Sequence, residues 1–225
     1  MVICLLLIGL GVCYADNKPV WENSSYDLFT SASFKLYEPA NEAIDINNID
    51  YPLLNAAILF ETNRMREKNG EKPFLHSAAL EKAASLHSRD MAENGFFSHQ
   101  NPFNPQRRTP SRRMALFGVK EGYRGENITE AFGIRYKPGS QLIPPETDDK
   151  IFRDYPAGNV IKPHTYNSLA EAVVAGWMGS TPHRANILNA HFRFLGCGAY
   201  HYENQAFYKM DQFKVTQCFA SKVPE

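Results

Sequence analysis

Residues 168–188 read SLAEAVVAGWMGSTPHRANIL, and their punctuation implies two helices meeting at a break. Ser168 followed three residues later by Glu171 has the form of a capping box, and behind it Leu169, Ala172, Val173, Gly176 and Trp177 form a stripe at helical spacing. Glu171 is therefore read as a cap. The pattern breaks at Gly179 and restarts with Ser180 or Thr181 as N-cap and Pro182 at the first helical position, where a missing N–H costs nothing. His183 then stands at a helix N-terminus. The positive end of the helix dipole disfavours imidazolium there, so a neutral ring suited to ligate a metal or accept a proton is expected; the alternative is a histidine that only packs or caps.

Working outward, Asp50 is a good N-cap for a helical run through Leu53, Leu54, Ala57 and Ile58 to Arg66, which stops at Asn69-Gly70. A second helix starts at Ser77, puts Leu80, Ala83, Ala84, His87 and Met91 on one face and ends at Gly95. On that apolar stripe His87 reads as a hydrogen-bonded core histidine rather than a ligand. Thr109-Pro110 opens a short helix that ends at Gly118. Arg107, Arg108, Arg112 and Arg113 form a dense basic cluster without interleaved aromatics, which reads as a solvated face. Phe194 to Tyr202 and Phe213 to Phe219 are strand-like, and Tyr200, Tyr202, Phe207, Tyr208, Phe213 and Phe219 are expected to face a core or stiffen a hairpin. Residues 16–49 carry scattered aromatics and read as an extended arm packed on the domain. Residues 134–165 lack periodicity, and so long a loop is expected to be a functional lid or a disordered insertion.

The 225 residues carry 24 basic and 24 acidic side chains, so nothing electrostatic points to nucleic acid or an anionic membrane. Val2 to Val12 is almost wholly apolar, too short to span a bilayer, and is followed by the cleavage-like Cys13-Tyr14-Ala15. Residues 1–15 are read as a signal peptide, with lipidation of Cys13 ranked second because Val12 is bulky. The mature chain is then expected to be secreted, periplasmic or at the cell surface, without a membrane span and as a monomer. Cys197 and Cys218 remain after cleavage. Adjacent antiparallel strands would bring them together, so a disulfide is expected, worth about 3 kcal/mol by loop closure. Two buried free thiols are the alternative.

Phe96-Phe97-Ser98-His99, Gly125-Glu126-Asn127-Ile128, Trp177-Met178-Gly179-Ser180, the run His183 to Leu188 and Gly196-Cys197-Gly198 follow one another in an order that resembles the bacterial branch of the CAP superfamily. That superfamily includes cysteine-rich secretory proteins, insect venom antigen 5 and plant pathogenesis-related 1 proteins. The resemblance runs from about Leu53 to Ala220. It implies an α+β fold over residues 50–225, an α-β-α sandwich in which helices enclose a small antiparallel sheet, and it offers no template for the 134–165 insertion. It also implies that His99, Glu126 and His183 face one another in a cleft, with Asn127 and Ser180 beside them. Many eukaryotic members carry a second glutamate three residues after the tryptophan, where this chain has Ser180. Family members of the bacterial type often lack the disulfide.

Two imidazoles and one carboxylate match the ligand number of a catalytic zinc site with an open position, which would polarise a bound water. They match equally a polar cavity that binds a ligand and does no chemistry. The leading expectation is a secreted binding module for a small or extended ligand, a lipid, glycan or peptide, oriented by His99, Glu126 and His183. The alternative is a divalent-metal-dependent hydrolase of peptide or cell-wall bonds, with Glu126 as base or ligand. A nucleophilic hydrolase built on Ser98 or Ser180 ranks last, because no G-x-S-x-G elbow is present. The sequons at Asn23 and Asn127 are discounted, since the HRANIL form points to a bacterium.

Overall fold

The computed structural model describes residues 21–147 and 149–224, so the expected signal peptide and Cys13 lie outside the described residues. Helix α1 (Ser31–Phe34) belongs to the arm, and α2 (Tyr51–Lys68), α3 (Ala78–Glu93), α4 (Pro110–Leu116), α5 (Tyr166–Gly179) and α6 (Thr181–Ile187) belong to the domain. The strands are β1 (Leu75–His76), β2 (Arg124–Phe132), β3 (Leu142–Ile143), β4 (Arg153–Asp154), β5 (Phe194–Asn204) and β6 (Met210–Ala220). The main sheet runs β1-β5-β6-β2. Its three long strands are antiparallel, as expected, while the two-residue β1 joins β5 in parallel.

The helix boundaries follow the caps. Asp50 accepts the Leu53 N–H at 2.9 Å, Thr109 caps α4, and Gly70, Gly95 and Gly118 end their helices at positive φ. The exception is α5. Its N-cap is Thr165, whose capping box is completed by Ser168, so the helix starts two residues before Ser168. Glu171 caps nothing and instead bonds the Lys35 ammonium at 2.7 Å. The buried stripe of α5 is Tyr166, Leu169, Ala170, Val173, Val174 and Trp177, leaving Ala172 and Gly176 outward.

Two helical layers enclose the sheet. Leu80, Ala83 and Ala84 of α3 pack with Met114, Cys218 and Ala220 on one face. On the other, α2 and α5 pack on Cys197, Ala199, Phe213, Val215 and Phe219. The first layer depends on two glycines. A Cβ on Gly196 would lie 2.0 Å from the Glu81 nitrogen and one on Gly198 2.1 Å from the Ser85 nitrogen, so α3 rests directly on the β5 backbone.

The same register removes the expected disulfide. Cys197 stands opposite Gln217 and Cys218 opposite Gly196. Directly opposed residues share a face and successive residues alternate, so the two thiols point to opposite sides of the sheet. Each is buried in a different cluster, and both cysteines are free. Neighbouring strands alone did not suffice; a one-residue offset decides the pairing.

The arm is not extended. Residues 23–28, 31–34 and 38–41 form short helical turns, and Trp21, Tyr26 and Phe34 pack around Phe60 of α2. The 134–165 segment contains the β3–β4 hairpin and buries Phe152. A bridge between Ile134 and Pro163 closes the segment's two ends on each other, and one between Ala43 and Thr165 ties it to the arm. Among the described residues no helix is long and apolar enough to cross a membrane.

Two outcomes test this packing. Alkylation of the unfolded protein without reductant should modify both Cys197 and Cys218, and dithiothreitol should leave the melting temperature unchanged; a protein that resists alkylation until reduced would contradict it. Gly198→Ala should destabilise by roughly 3 kcal/mol or more in urea unfolding, since a methyl there meets helix backbone and not a movable side chain.

Candidate functional site

Three elements bring the site together. The stretch after α3 carries Phe97 to Gln100, the edge strand β2 carries Glu126 to Thr129, and the first turn of α6 carries His183. They line an open cleft of about 620 Å³ whose walls are Phe97, Ser98, His99, Gln100, Ile128, Thr129 and His183. Among the described residues none of the 134–165 segment lines it.

Glu126 lies behind the cleft rather than in it. Its side chain is 1% exposed, and one oxygen accepts an Arg113 N–H at 2.6 Å while the other accepts His99 Nδ1–H at 2.8 Å. Arg113 corrects the expectation of a solvated basic face. It is fully buried and also donates to the carbonyls of His99 at 3.0 Å and Arg107 at 2.8 Å. Arg107 is likewise held, 2.9 Å from Asp90. A buried carboxylate in water-excluded surroundings requires such a partner, because unpaired it would face a large desolvation cost. With Nδ1–H given to Glu126, Nε2 is the His99 nitrogen left for a ligand, and the side chain is half exposed.

His87 adjoins this pair, 3.9 Å from Glu126. Its Nε2–H donates to the Ser98 carbonyl at 3.0 Å and so fixes the backbone next to His99. Burial pushes its pKa down to about 4, the Arg113 charge adding to the effect against the opposing pull of Glu126. The ring is therefore neutral at neutral pH, and its buried Nδ1 has no hydrogen-bond partner among the described residues. The reading as a hydrogen-bonded core histidine holds for its burial but missed its place behind the site.

On the opposite wall, burial and then the nearby His99 lower the His183 pKa, so this ring too is uncharged at neutral pH. The helix dipole implied the same charge state from sequence; here desolvation and then His99 are the causes. Asn127 does not line the cleft. Fully buried, it donates to the His183 carbonyl at 3.1 Å and accepts from Asn186 at 2.9 Å, holding α6 against the strand. Gln217 continues that brace from Asn127 to Thr62. Ser180 is the turn between α5 and α6, its N–H bonded to the Trp177 carbonyl and its own carbonyl to the Arg184 N–H. Ser98 Oγ accepts the Gln100 N–H at 3.1 Å and meets no imidazole among the described residues.

The zinc reading does not fit this geometry. Among the described residues no three His, Cys, Asp or Glu side chains are gathered to hold a metal ion. Both Glu126 oxygens are engaged, one by a guanidinium that would repel a dication.

The residues that sequence reasoning missed are Arg113 and His87. A glutamate inside the strand RGENITEAF was the available signal, since a buried acid calls for a buried cation. Arg113→Met should destabilise the protein by about 3–5 kcal/mol in urea unfolding, because it leaves a buried charge unpaired. Adding Glu126→Gln should recover part of that loss; strictly additive losses would show that the pair is uncoupled.

Comparison with known proteins agrees with this architecture. The family described as "Cysteine-rich secretory protein family" (CAP) matches residues 59–219. The chain is 31% identical over 137 residues to the "Uncharacterized protein YkwD" of Bacillus subtilis (strain 168), covering 61% of this chain and 38% of that one. An extracellular protein containing an SCP domain from Bacillus anthracis str. Ames shares the fold with a TM-score of 0.51 at 24% identity, covering 77% of this chain and 42% of that one. An outer surface protein from Borrelia burgdorferi aligns with a TM-score of 0.44 at 16% identity over 72% of this chain and 87% of that one. The chain thus spans less than half the length of the Bacillus relatives it matches. With the family match covering most of its length, and with a sheet enclosed by helices on both faces, the chain belongs to the CAP, or cysteine-rich secretory protein, family.

Proposed function

We propose that the chain is an extracytoplasmic binding module whose cleft holds an uncharged segment of ligand between His99 and His183. One observation carries this reading: the carboxylate is closed off by Arg113 and His99, while the imidazoles border open space. General acid or base work by Glu126 would need its proton to reach the substrate, and the carboxylate does not line the cleft. The two imidazoles instead offer hydrogen-bonding nitrogens to the cleft, and Phe97 and Ile128 supply apolar surface beside them. The leader-like residues 1–15 and the description of the Bacillus anthracis relative as extracellular support a place outside the cytoplasm.

Metal-dependent hydrolysis is the competing outcome of the test. Calorimetric titration of metal-stripped protein with zinc should show no micromolar one-to-one binding that is lost in both His99→Ala and His183→Ala. Such binding, joined to turnover of a peptide or cell-wall substrate abolished by His183→Ala, would replace the binding-module reading with a hydrolase.

A further inference from the structure

Phe97, on the cleft wall, adjoins a sheet face that carries further rings. Strand register places Ile128, Glu130 and Phe132 of β2, Gln212 and Lys214 of β6, and Tyr200 and Tyr202 of β5 on the sheet face that carries Gly196 and Gly198. Helix α3 covers the glycine end of that face and stops at Glu93, which accepts the Tyr200 hydroxyl at 3.1 Å. Beyond that point a row of rings follows on from the cleft. Phe97, 47% exposed, lies over the Lys214 ammonium at 5.2 Å, and the Tyr202 ring lies over the same ammonium at 4.8 Å. Phe132, Tyr136 and Phe207, all half-buried, then form a triad with centroids 4.8 to 6.2 Å apart.

From this row we infer that the module's ligand is a neutral glycan chain, several sugars long, lying from the His99–His183 cleft along Phe97 and Tyr202 to Phe132. The inference rests on the binding-module reading and specifies its ligand.

Charge is the first argument. Lys214 is buried and ion-paired with Glu130, whose side chain is 42% exposed, so the platform carries no net charge to select an ionic ligand. Chemistry of the surface is the second. Rings, exposed at Phe97 and half-buried at Tyr202 and Phe132, alternate with hydrogen-bonding groups: the Tyr202 hydroxyl donates to Glu130 at 2.8 Å or Gln212 at 2.6 Å, and Asn204 donates to Gln212 at 3.3 Å. A sugar ring presents the complement, apolar C–H faces with hydroxyls around the edge. The strand edge is the third. A peptide could add to β2 only through free backbone groups, yet the Glu126 carbonyl accepts from Asn186 at 3.4 Å and the Ile128 carbonyl from the Trp177 indole at 3.2 Å. An acyl chain, which gains by complete enclosure, would remain wet in so open a groove.

The test is calorimetry on the full protein with cellohexaose, chitohexaose and laminarihexaose, their trisaccharides, and palmitate and a mixed decapeptide pool as comparators. At least one hexasaccharide should bind more tightly than its trisaccharide. Phe97→Ala and Phe132→Ala should each weaken that binding about tenfold, the size expected for loss of one stacking ring. Phe97 is exposed, so its variant should keep the wild-type melting temperature and guards against misreading a folding defect in Phe132→Ala. Hexasaccharide binding lost in His183→Ala but unchanged in both ring variants overturns the platform and leaves the cleft reading intact. Binding of palmitate or peptide instead, lost in His183→Ala, overturns the glycan and again leaves the cleft. If no probe binds, both readings fall.

Discussion

The site depends on one buried ion pair. Arg113 reaches from α4 to Glu126 on the edge strand, and the same guanidinium also donates to the carbonyls of His99 and Arg107. One guanidinium thereby ties together three segments that share no regular hydrogen-bond ladder. Arginine suits this role because its planar fork offers several donors in fixed directions and stays charged when buried. Such a pair is a poor source of net stability compared with an apolar replacement. Its value here is positional, since it fixes where the carboxylate points and hence which nitrogen of His99 is left for a ligand.

The second constraint is steric. Two glycines on β5 let α3 lie on the sheet backbone, and the loop after that helix is where Phe97 to Gln100 begin. His87, in the second half of α3, bonds the Ser98 carbonyl and passes the helix position on to the loop. On the other wall Asn127 and Trp177 bond α6 and α5 to β2. Each imidazole of the cleft is thus carried on backbone that is pinned by a buried side chain. A cleft built this way is largely formed before any ligand arrives, which lowers the ordering cost of binding.

Local signals were legible where they act within a few residues. Asp50, Ser77 and Thr109 capped their helices as their spacing implied, and Gly70, Gly95 and Gly118 ended them. At α5 two candidate caps competed, and Thr165 with Ser168 prevailed over Ser168 with Glu171, which pairs with Lys35 instead. The arm and the 134–165 segment had no periodicity to read. The arm is ordered by aromatic packing on α2, and the segment by a bridge across its own ends and another from Thr165 to Ala43.

By itself the sequence determined most of the domain's helices, the two long C-terminal strands and, through the ordered motifs from Phe96 to Gly198, the resemblance to the family, which implied a meeting of His99, Glu126 and His183. These follow from caps, periodicity and motif order, which are properties of short stretches of chain. Only the tertiary structure decided that Cys197 and Cys218 lie on opposite faces, that Arg113 is buried, and that Glu126 stands behind the cleft while the imidazoles border it. Each of those depends on strand register or on a partner distant in sequence. A one-residue shift of register turns every side chain over while leaving composition and spacing unchanged.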